Sequence, residues 1–98
     1  MVEIEKNEQL VIKFGKRLDA TNAEQTAEKI GKELENLDKD IVLDVSRMEY
    51  ISSAGLQVVL KCAKAAKAAG KETYLHGAKG NVLEIFRLSG FLTFLKAE

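Results

Sequence analysis

A short apolar run, a polar loop and a helical repeat follow one another in the middle of this chain and constrain its fold most. Residues 41–45 are apolar apart from Asp44 and predict a central strand covered on both faces. From about residue 54 to residue 69, apolar residues recur at helical spacing. A strand, a loop and a helix in this order are typical of α/β proteins, which commonly place function in such a loop.

The loop between this strand and this helix contains adjacent serines, Ser52 and Ser53. The first turn of a helix has unpaired N–H groups and a partial positive charge, so a serine there can cap the helix or carry a phosphate. Capping of the helix by one of the two serines is the simpler interpretation. A nucleophile would need a base and an oxyanion site. Since His76 is the only histidine and lies near a predicted strand end, hydrolase activity is not expected.

Composition predicts one globular domain spanning residues 1–98, with 46% hydrophobic residues. Fifteen basic and fifteen acidic residues cancel, which argues against a nucleic-acid partner. No apolar stretch reaches the roughly 18 residues of a membrane span, and the charged beginning lacks a signal-peptide core. The single cysteine, Cys62, excludes an internal disulfide and fits a cytoplasmic protein. Neither Cys62 nor His76 has a second ligand at metal-binding spacing, so no metal or cofactor is expected.

Periodicity along the chain predicts the element order β-β-α-β-α-β-α-β. The predicted strands are residues 2–6, 10–14, 41–45, 72–76 and 91–95. The predicted helices are residues 21–37, 54–69 and 81–90, with a polar connection at residues 16–20. Thr21 and Glu24 suggest a capping box for the first helix, and Asn81 suggests a cap for the third. Alternation after the first hairpin implies a mixed, largely parallel sheet packed by helices.

Polar residues outside the loop add two weaker signals. One stripe of the second predicted helix comprises Gln57, Lys61, Lys64, Lys67 and Lys71. Such a stripe is usually a solvated face, although it can also contact an acidic partner. Asp19 and Asp44 lie near predicted strand ends, where hydrogen bonding within the loop is slightly favoured over a direct functional role.

Four segments, in order, resemble the STAS domain, specifically the anti-sigma factor antagonists of bacterial partner-switching systems. They are residues 15–19 (GKRLD), 41–44 (IVLD), 51–56 (ISSAGL) and 82–90 (VLEIFRLSG), so the resemblance covers nearly the whole chain. The third segment is similar to the family's phosphorylation loop, commonly D-S-[SA]-G-L. Aligning Gly55 and Leu56 with that motif puts Ser53 at the phosphorylated position and Ser52 in place of the usual aspartate. The resemblance implies a STAS fold.

The resemblance also implies a binding protein rather than an enzyme. The unphosphorylated form would bind an anti-sigma factor that is also a serine kinase, and would thereby free a sigma factor. Phosphorylation of Ser53, with Ser52 as the alternative, would end that binding, and a metal-dependent serine phosphatase would restore it. A STAS scaffold, a regulator of a pathway other than sigma, and a nucleotide-binding domain stay open as alternatives. The implied partner surface comprises Asp19, Ser52, Ser53, Ala54, Gly55, Leu56, Gln57 and Lys61.

Overall fold

The computed structural model describes residues 2–98, which contain seven strands and three α-helices. The strands are β1 (Glu3–Lys6), β2 (Leu10–Lys13), β3 (Arg17–Leu18), β4 (Ile41–Asp44), β5 (Tyr50–Ile51), β6 (Thr73–His76) and β7 (Lys96–Ala97). The helices are α1 (Ala23–Leu34), α2 (Ser53–Ala68) and α3 (Gly80–Leu88), and a 3-10 helix covers Phe91–Thr93. The predicted α/β class is confirmed.

Five strands form one mixed sheet in the order β1-β2-β4-β6-β7. Only β1 runs antiparallel to its neighbour, and the other three pairings are parallel, as the sequence predicts. Each crossover from β2 onward moves one position in the same direction across the sheet. Because such crossovers are right-handed, all three α-helices lie on one face.

The expectation that residues 41–45 are buried on both faces is confirmed for Ile41, Val42 and Leu43, although the helices cover only one of those faces. Ile41 and Leu43 point into the main core beneath the helices and are fully buried. Val42 faces the opposite side of the sheet, outside that core. Its register partners there are Val11 and Tyr74, which are both partly exposed. Val42 is buried because its sheet neighbours cover it.

The core between the sheet and the helices is built from fully buried aliphatic and aromatic side chains. The sheet contributes Ile12, Ile41, Leu43 and Leu75, and the helices contribute Ile30, Val59, Cys62, Val82 and Phe86. Burying a side chain of this size stabilises the folded state by about 1.5–3 kcal/mol. The helical spacing of residues 54–69 predicts an inner face of Val59, Cys62, Ala63, Ala66 and Ala69. Of these, Val59, Cys62 and Ala66 are buried, Ala63 is half-buried against the core, and Ala69 is exposed.

A second, two-stranded sheet lies outside the main one. It pairs β3 with β5 in parallel, with Arg17 opposite Tyr50 and Leu18 opposite Ile51. The sequence predicts residues 16–20 as an irregular connection, and this is wrong in part, because β3 lies within it. Strands of two residues are too short to produce a recognisable alternation. This small sheet matters for function because β5 leads directly into the serine loop.

The predicted capping box of the first helix is wrong. Helix α1 begins at Ala23, after an N-cap residue, Asn22, whose side chain makes no capping hydrogen bond. The Thr21 hydroxyl donates instead to the Asp19 carboxylate, and Asn22 Oδ1 accepts a hydrogen bond from the Asp19 backbone. Both polar side chains are therefore used within the loop that precedes the helix.

The C-terminal boundary of the first helix is also shorter than predicted. Helix α1 ends at Leu34 because Asn36 has a left-handed backbone, with φ of 55°. Asparagine is one of the few residues that adopts this conformation readily. Leu37 still packs against the core, but from the loop, so its position in the helical pattern was misleading.

The last segment differs most from the sequence prediction. Residues 91–95 do not form a strand, since Phe91–Thr93 is a 3-10 helix that follows Gly90 at φ of 81°. The Phe91 ring packs 6.0 Å from the Phe86 ring, so the apolar run fills the core without pairing to the sheet. Pairing begins only at β7. The predicted cap at Asn81 is wrong as well, because α3 begins at Gly80 with Lys79 as its N-cap.

None of the helices within residues 2–98 has the length and apolar character needed to cross a bilayer.

One buried side-chain polar atom, the Thr73 hydroxyl, has no hydrogen-bond partner within the described residues. An unsatisfied buried hydroxyl destabilises the folded state.

We predict that Thr73→Val raises the free energy of unfolding by about 1 kcal/mol, because valine keeps the shape and removes the unpaired hydroxyl. Thr73→Ser is the control, since it keeps the hydroxyl and loses a methyl group, and it should lower stability. Urea titrations of the three proteins measure both changes. A Thr73→Val protein less stable than wild type would show that the hydroxyl is satisfied in solution.

Candidate functional site

The two serines before α2 have different roles. Ser52 is the N-cap, and its hydroxyl accepts a hydrogen bond from the Gly55 backbone N–H at 3.3 Å. Its carbonyl accepts from the Leu56 N–H at 2.9 Å. Ser53 is the first residue of the helix, is exposed, and makes no side-chain hydrogen bond with any residue from 2 to 98. Capping by one of the two serines is therefore observed, and Ser52 is that cap.

Strand β3 holds the serine loop in place. The Ser52 N–H donates to the Leu18 carbonyl at 3.0 Å. At Gly55 the backbones approach so closely that a Cβ would lie 2.5 Å from the Leu18 oxygen and 2.7 Å from Ile51 Cγ1. These distances are well inside van der Waals contact, so residue 55 must be glycine for the loop to keep this shape.

Asp19 organises the loop between β3 and α1. Its buried carboxylate accepts from the Thr21 N–H at 3.0 Å and from the Thr21 hydroxyl at 2.5 Å, and also accepts from Arg17 Nε at 3.0 Å. The hydrogen bonds from Thr21, supported by Arg17, hold the pKa of Asp19 below its ordinary value. The carboxylate is therefore ionised and satisfied within its own loop.

Asp44 makes a similar arrangement at the end of β4. Partial burial opposes ionisation of this carboxyl, but two hydrogen bonds from Ser46, together with the nearby His76 and Lys13 side chains, lower the pKa of Asp44 overall. The Ser46 N–H and hydroxyl lie 3.0 and 2.6 Å from Oδ1. Hydrogen bonding within the loop, the interpretation favoured by the sequence, is thus observed for both Asp19 and Asp44.

A shallow groove of about 250 Å³ runs between α1 and α2 beside the serine loop. Its walls are Ala23, Glu24, Ala27, Ala54, Gln57, Val58 and Lys61. The α1 residues were not among the predicted partner-binding residues, because the sequence pattern does not reveal which two helices pack together. The only signal for this packing was the presence of small residues on both helices, namely Ala23 and Ala27 on α1 and Ala54 on α2.

The predicted partner-binding residues divide into two groups. Ser53, Gln57 and Lys61 are exposed and follow one another at four-residue spacing, so they form one stripe along α2. The structure places half-buried Ala54 in the groove beside this stripe. Gly55 is buried, and the remaining predicted residues are partly or largely covered: Asp19, Ser52 and Leu56. These residues shape the loop, and the stripe is what a partner can reach.

The groups that sequence patterns considered for catalysis lie apart from the serines. No hydrogen bond joins His76 to Ser53, and His76 Nδ1 lies 3.7 Å from Glu98 Oε1. Cys62 is fully buried, and that burial raises the pKa of its thiol to about 12, which makes it unreactive. Within residues 2–98 there is no group of three His, Cys, Asp or Glu side chains that could hold a metal ion.

We predict that Ser52→Ala and Ser53→Ala differ in stability. Removing the cap should cost about 0.5–2 kcal/mol, whereas the Ser53 hydroxyl makes no bond in the free protein and its loss should change stability by less than about 0.5 kcal/mol. Paired denaturant titrations measure both values. A larger loss for Ser53→Ala than for Ser52→Ala would contradict the assignment of the cap.

Two glycine substitutions should have opposite effects. Gly55→Ala would force a methyl group against Leu18 and should destabilise the protein by about 1–3 kcal/mol. Gly31→Ala is the matched control in α1, where a Cβ meets only Lys61 Nζ at 3.5 Å, an ordinary contact. It should stabilise the helix by up to about 1 kcal/mol. Thermal melts of both variants test the pair, and a neutral Gly55→Ala would disprove the close approach.

Comparison with known proteins identifies a family model over the full chain and a curated relative over most of it. A family model described as the STAS domain matches residues 1–98. BtrV of Bordetella bronchiseptica, whose assigned name proposes an anti-sigma factor antagonist, is 40% identical over 76 residues, 78% of this chain. That alignment spans 66% of BtrV, so this chain matches just under two thirds of its relative's length.

Solved structures have the same fold. The anti-sigma factor antagonist SpoIIAA in its unphosphorylated form superposes with a TM-score of 0.85 at 23% identity, covering 100% of this chain and 88% of that chain. Bacillus SpoIIAA in its phosphorylated form gives 0.78 at 22% identity, covering 100% and 91%. At such identities the likeness establishes the fold, and the predicted STAS-type architecture is confirmed.

Proposed function

This chain belongs to the STAS domain family, and we propose that it is an anti-sigma factor antagonist whose binding is switched by phosphorylation of Ser53. In the unphosphorylated state it binds an anti-sigma factor that is also a serine kinase, which frees a sigma factor. The kinase then phosphorylates Ser53 and the complex separates. A metal-dependent serine phosphatase restores binding, and the cycle takes place in the cytoplasm. The similarity to BtrV and SpoIIAA, both of which are named as anti-sigma factor antagonists, supports this proposal.

The observation that carries the proposal is the position of the Ser53 hydroxyl. It is exposed at the first turn of α2 and free of hydrogen bonds within the described residues, while Ser52 supplies the cap. A kinase can therefore modify Ser53 without removing the cap. Ser52 stands where the family commonly has aspartate, and its hydroxyl meets the capping need without a charge.

The helix terminus favours a phosphate at this position. The first turn of α2 contains no acidic residue, so the positive end of the helix dipole is not neutralised by the helix's own side chains. A phosphate adds about −1.5 to −2 charges, and a helix N-terminus accommodates such an anion. The phosphorylated protein is therefore expected to stay folded.

The same phosphate opposes binding of a partner at the groove between α1 and α2. The partner would cover the stripe of Ser53, Gln57 and Lys61, where a new charge must lose its hydration without a compensating group. Glu24 on the far wall of the groove adds negative charge to the surroundings. Asp19 and Gly55 act as positioning residues, because they hold the loop without presenting free groups.

Binding rather than catalysis is the proposed activity. A serine nucleophile needs a neighbouring base, and no hydrogen bond links the Ser53 hydroxyl to a histidine or carboxylate among the residues described. The only covalent change proposed for this chain is then the gain and loss of a phosphate on Ser53. Kinase and phosphatase supply the reactions in both directions.

We predict that Ser53→Ala binds the cognate anti-sigma kinase with wild-type affinity and takes up no phosphate, while Ser53→Glu binds roughly tenfold or more weakly, since even one added interface charge costs more than about 1.4 kcal/mol. Calorimetry on both variants, the wild type and the phosphorylated protein measures the affinities. Ser52→Ala is the control, because it loses the cap but keeps the acceptor and should still be phosphorylated.

Peptide mass spectrometry places the modification. Phosphate found on Ser52 alone would overturn the site, and equal affinity of the phosphorylated and unphosphorylated proteins would overturn the switch. Thermal melts of each variant separate a binding defect from unfolding, because neither Ser53 variant should lose more than a small part of the roughly 5–15 kcal/mol typical of a domain.

A further inference from the structure

A second groove lies at the C-terminal end of α2, with a volume of about 560 Å³. We propose that it binds an acidic peptide segment of a protein partner that inserts an apolar side chain between the lysines. We call it the basic groove. Its apolar floor is Leu60, Ala63 and Phe94, and its basic rim is Lys64, Lys67 and Lys71.

The floor of the basic groove offers a contact for one apolar side chain. Phe94 is 42% exposed, unusual for a phenylalanine in a small domain, and its ring lies 5.0 Å from the ring of Phe91. Leu60 and Ala63 are half-buried beside it. Because Phe91 packs against the core, the exposed ring of Phe94 is supported from below and presents a formed surface.

The rim is basic, with three lysines and one acidic residue, Glu72, among the residues that line the groove. Between Glu49 and Glu72 the chain contains four lysines and no acidic residue, although the whole chain has no net charge. Glu72 lines the same groove but pairs with Lys96 at 3.8 Å, and within residues 2–98 none of the three rim lysines makes an ion pair.

Lys64 and Lys67 are three residues apart within α2, whereas Lys71 lies beyond the end of that helix. Like charges three or four residues apart destabilise a helix by about 0.2–0.5 kcal/mol per pair. The helix dipole offsets this for Lys67, in the last turn of α2, but not for Lys64 nearer the middle. The repulsion between these lysines would be relieved by a ligand of opposite charge. The occupant of the groove is therefore an acidic segment.

The shape and the charge favour a peptide over other anions. Nucleic-acid sites usually require a large basic excess, which a chain with fifteen basic and fifteen acidic residues does not have. A bilayer surface is flat, whereas this site is a concave groove with its apolar residues on the floor. An extended acidic segment with one leucine or aromatic anchor satisfies both the rim and the floor.

The basic groove is separate from the proposed switch. Lys67 follows Ser53 by 14 residues, which places it about 21 Å further along the helix axis. The residues lining the two grooves do not overlap. A partner at the basic groove could therefore be bound together with one at Ser53, and this inference does not depend on the proposed function.

The test is selection of peptides from a random phage-displayed library on the immobilised full chain. Peptides rich in Asp and Glu with an apolar anchor should be enriched, and labelled copies should bind in fluorescence anisotropy, more weakly as salt increases. Charge reversal of the rim, K64E/K67E/K71E, should weaken binding by roughly tenfold or more. The neutral variant K64Q/K67Q/K71Q should weaken it as well, and F94A should weaken it without changing its salt dependence.

The matched control is K16E/K32E/K79E, which changes net charge by the same amount at exposed lysines elsewhere on the surface. It should retain wild-type affinity for the selected peptides. The proposal is overturned if no acidic peptide is enriched, if both reversals weaken binding equally, or if the rim lysines instead mediate binding to phosphatidylserine vesicles or to an oligonucleotide. Circular dichroism melts check that every variant is folded.

Discussion

The close approach of the start of α2 to strand β3 is the contact on which the functional end of this molecule depends. Because Gly55 has no Cβ, the helix can begin against the Leu18 carbonyl. The Ser52 N–H bonds to that same carbonyl, so one backbone oxygen of β3 positions both the cap and the first turn. The short β3–β5 pairing, which also contributes Leu18 and Ile51 to the core, thereby sets the direction in which Ser53 faces solvent.

Helix α2 has chemically distinct ends. Its N-terminal turn has no acidic side chain and presents an exposed hydroxyl, so it can accept negative charge through modification. Lys64 and Lys67 in its C-terminal half, with Lys71 just beyond its end, lie beside an exposed aromatic ring and make no ion pair among the described residues, so this end can accept negative charge from a partner. The sheet and the other helices hold the buried face of α2 rigidly, which leaves both ends available without a change of fold.

Predictions from the sequence were correct where the signal acts over a few neighbouring residues. A capped helix beginning beside Ser52 and Ser53, the buried strand at Ile41–Asp44 and the mixed sheet were all predictable, because hydrophobic periodicity and serine capping act over a few residues. The prediction of a strand at residues 91–95 was wrong, since a short apolar run packs equally well as a strand or as a turn of helix. The choice was made by Gly90 and by the Phe86 ring, which lies elsewhere in the fold.

The sequence by itself determined the family, the α/β order and a serine at the start of a helix. Only the tertiary structure decided which serine is free, because Ser52 is fixed as cap by its bonds to Leu18 and Gly55, and those partners come from different elements. It likewise decided that every helix covers one face of the sheet, since the direction of successive crossovers is a property of strand order and handedness. The lysines beside Phe94 formed a groove only when β6 and the 3-10 helix packed against α2, because charge periodicity on one helix does not reveal what faces it.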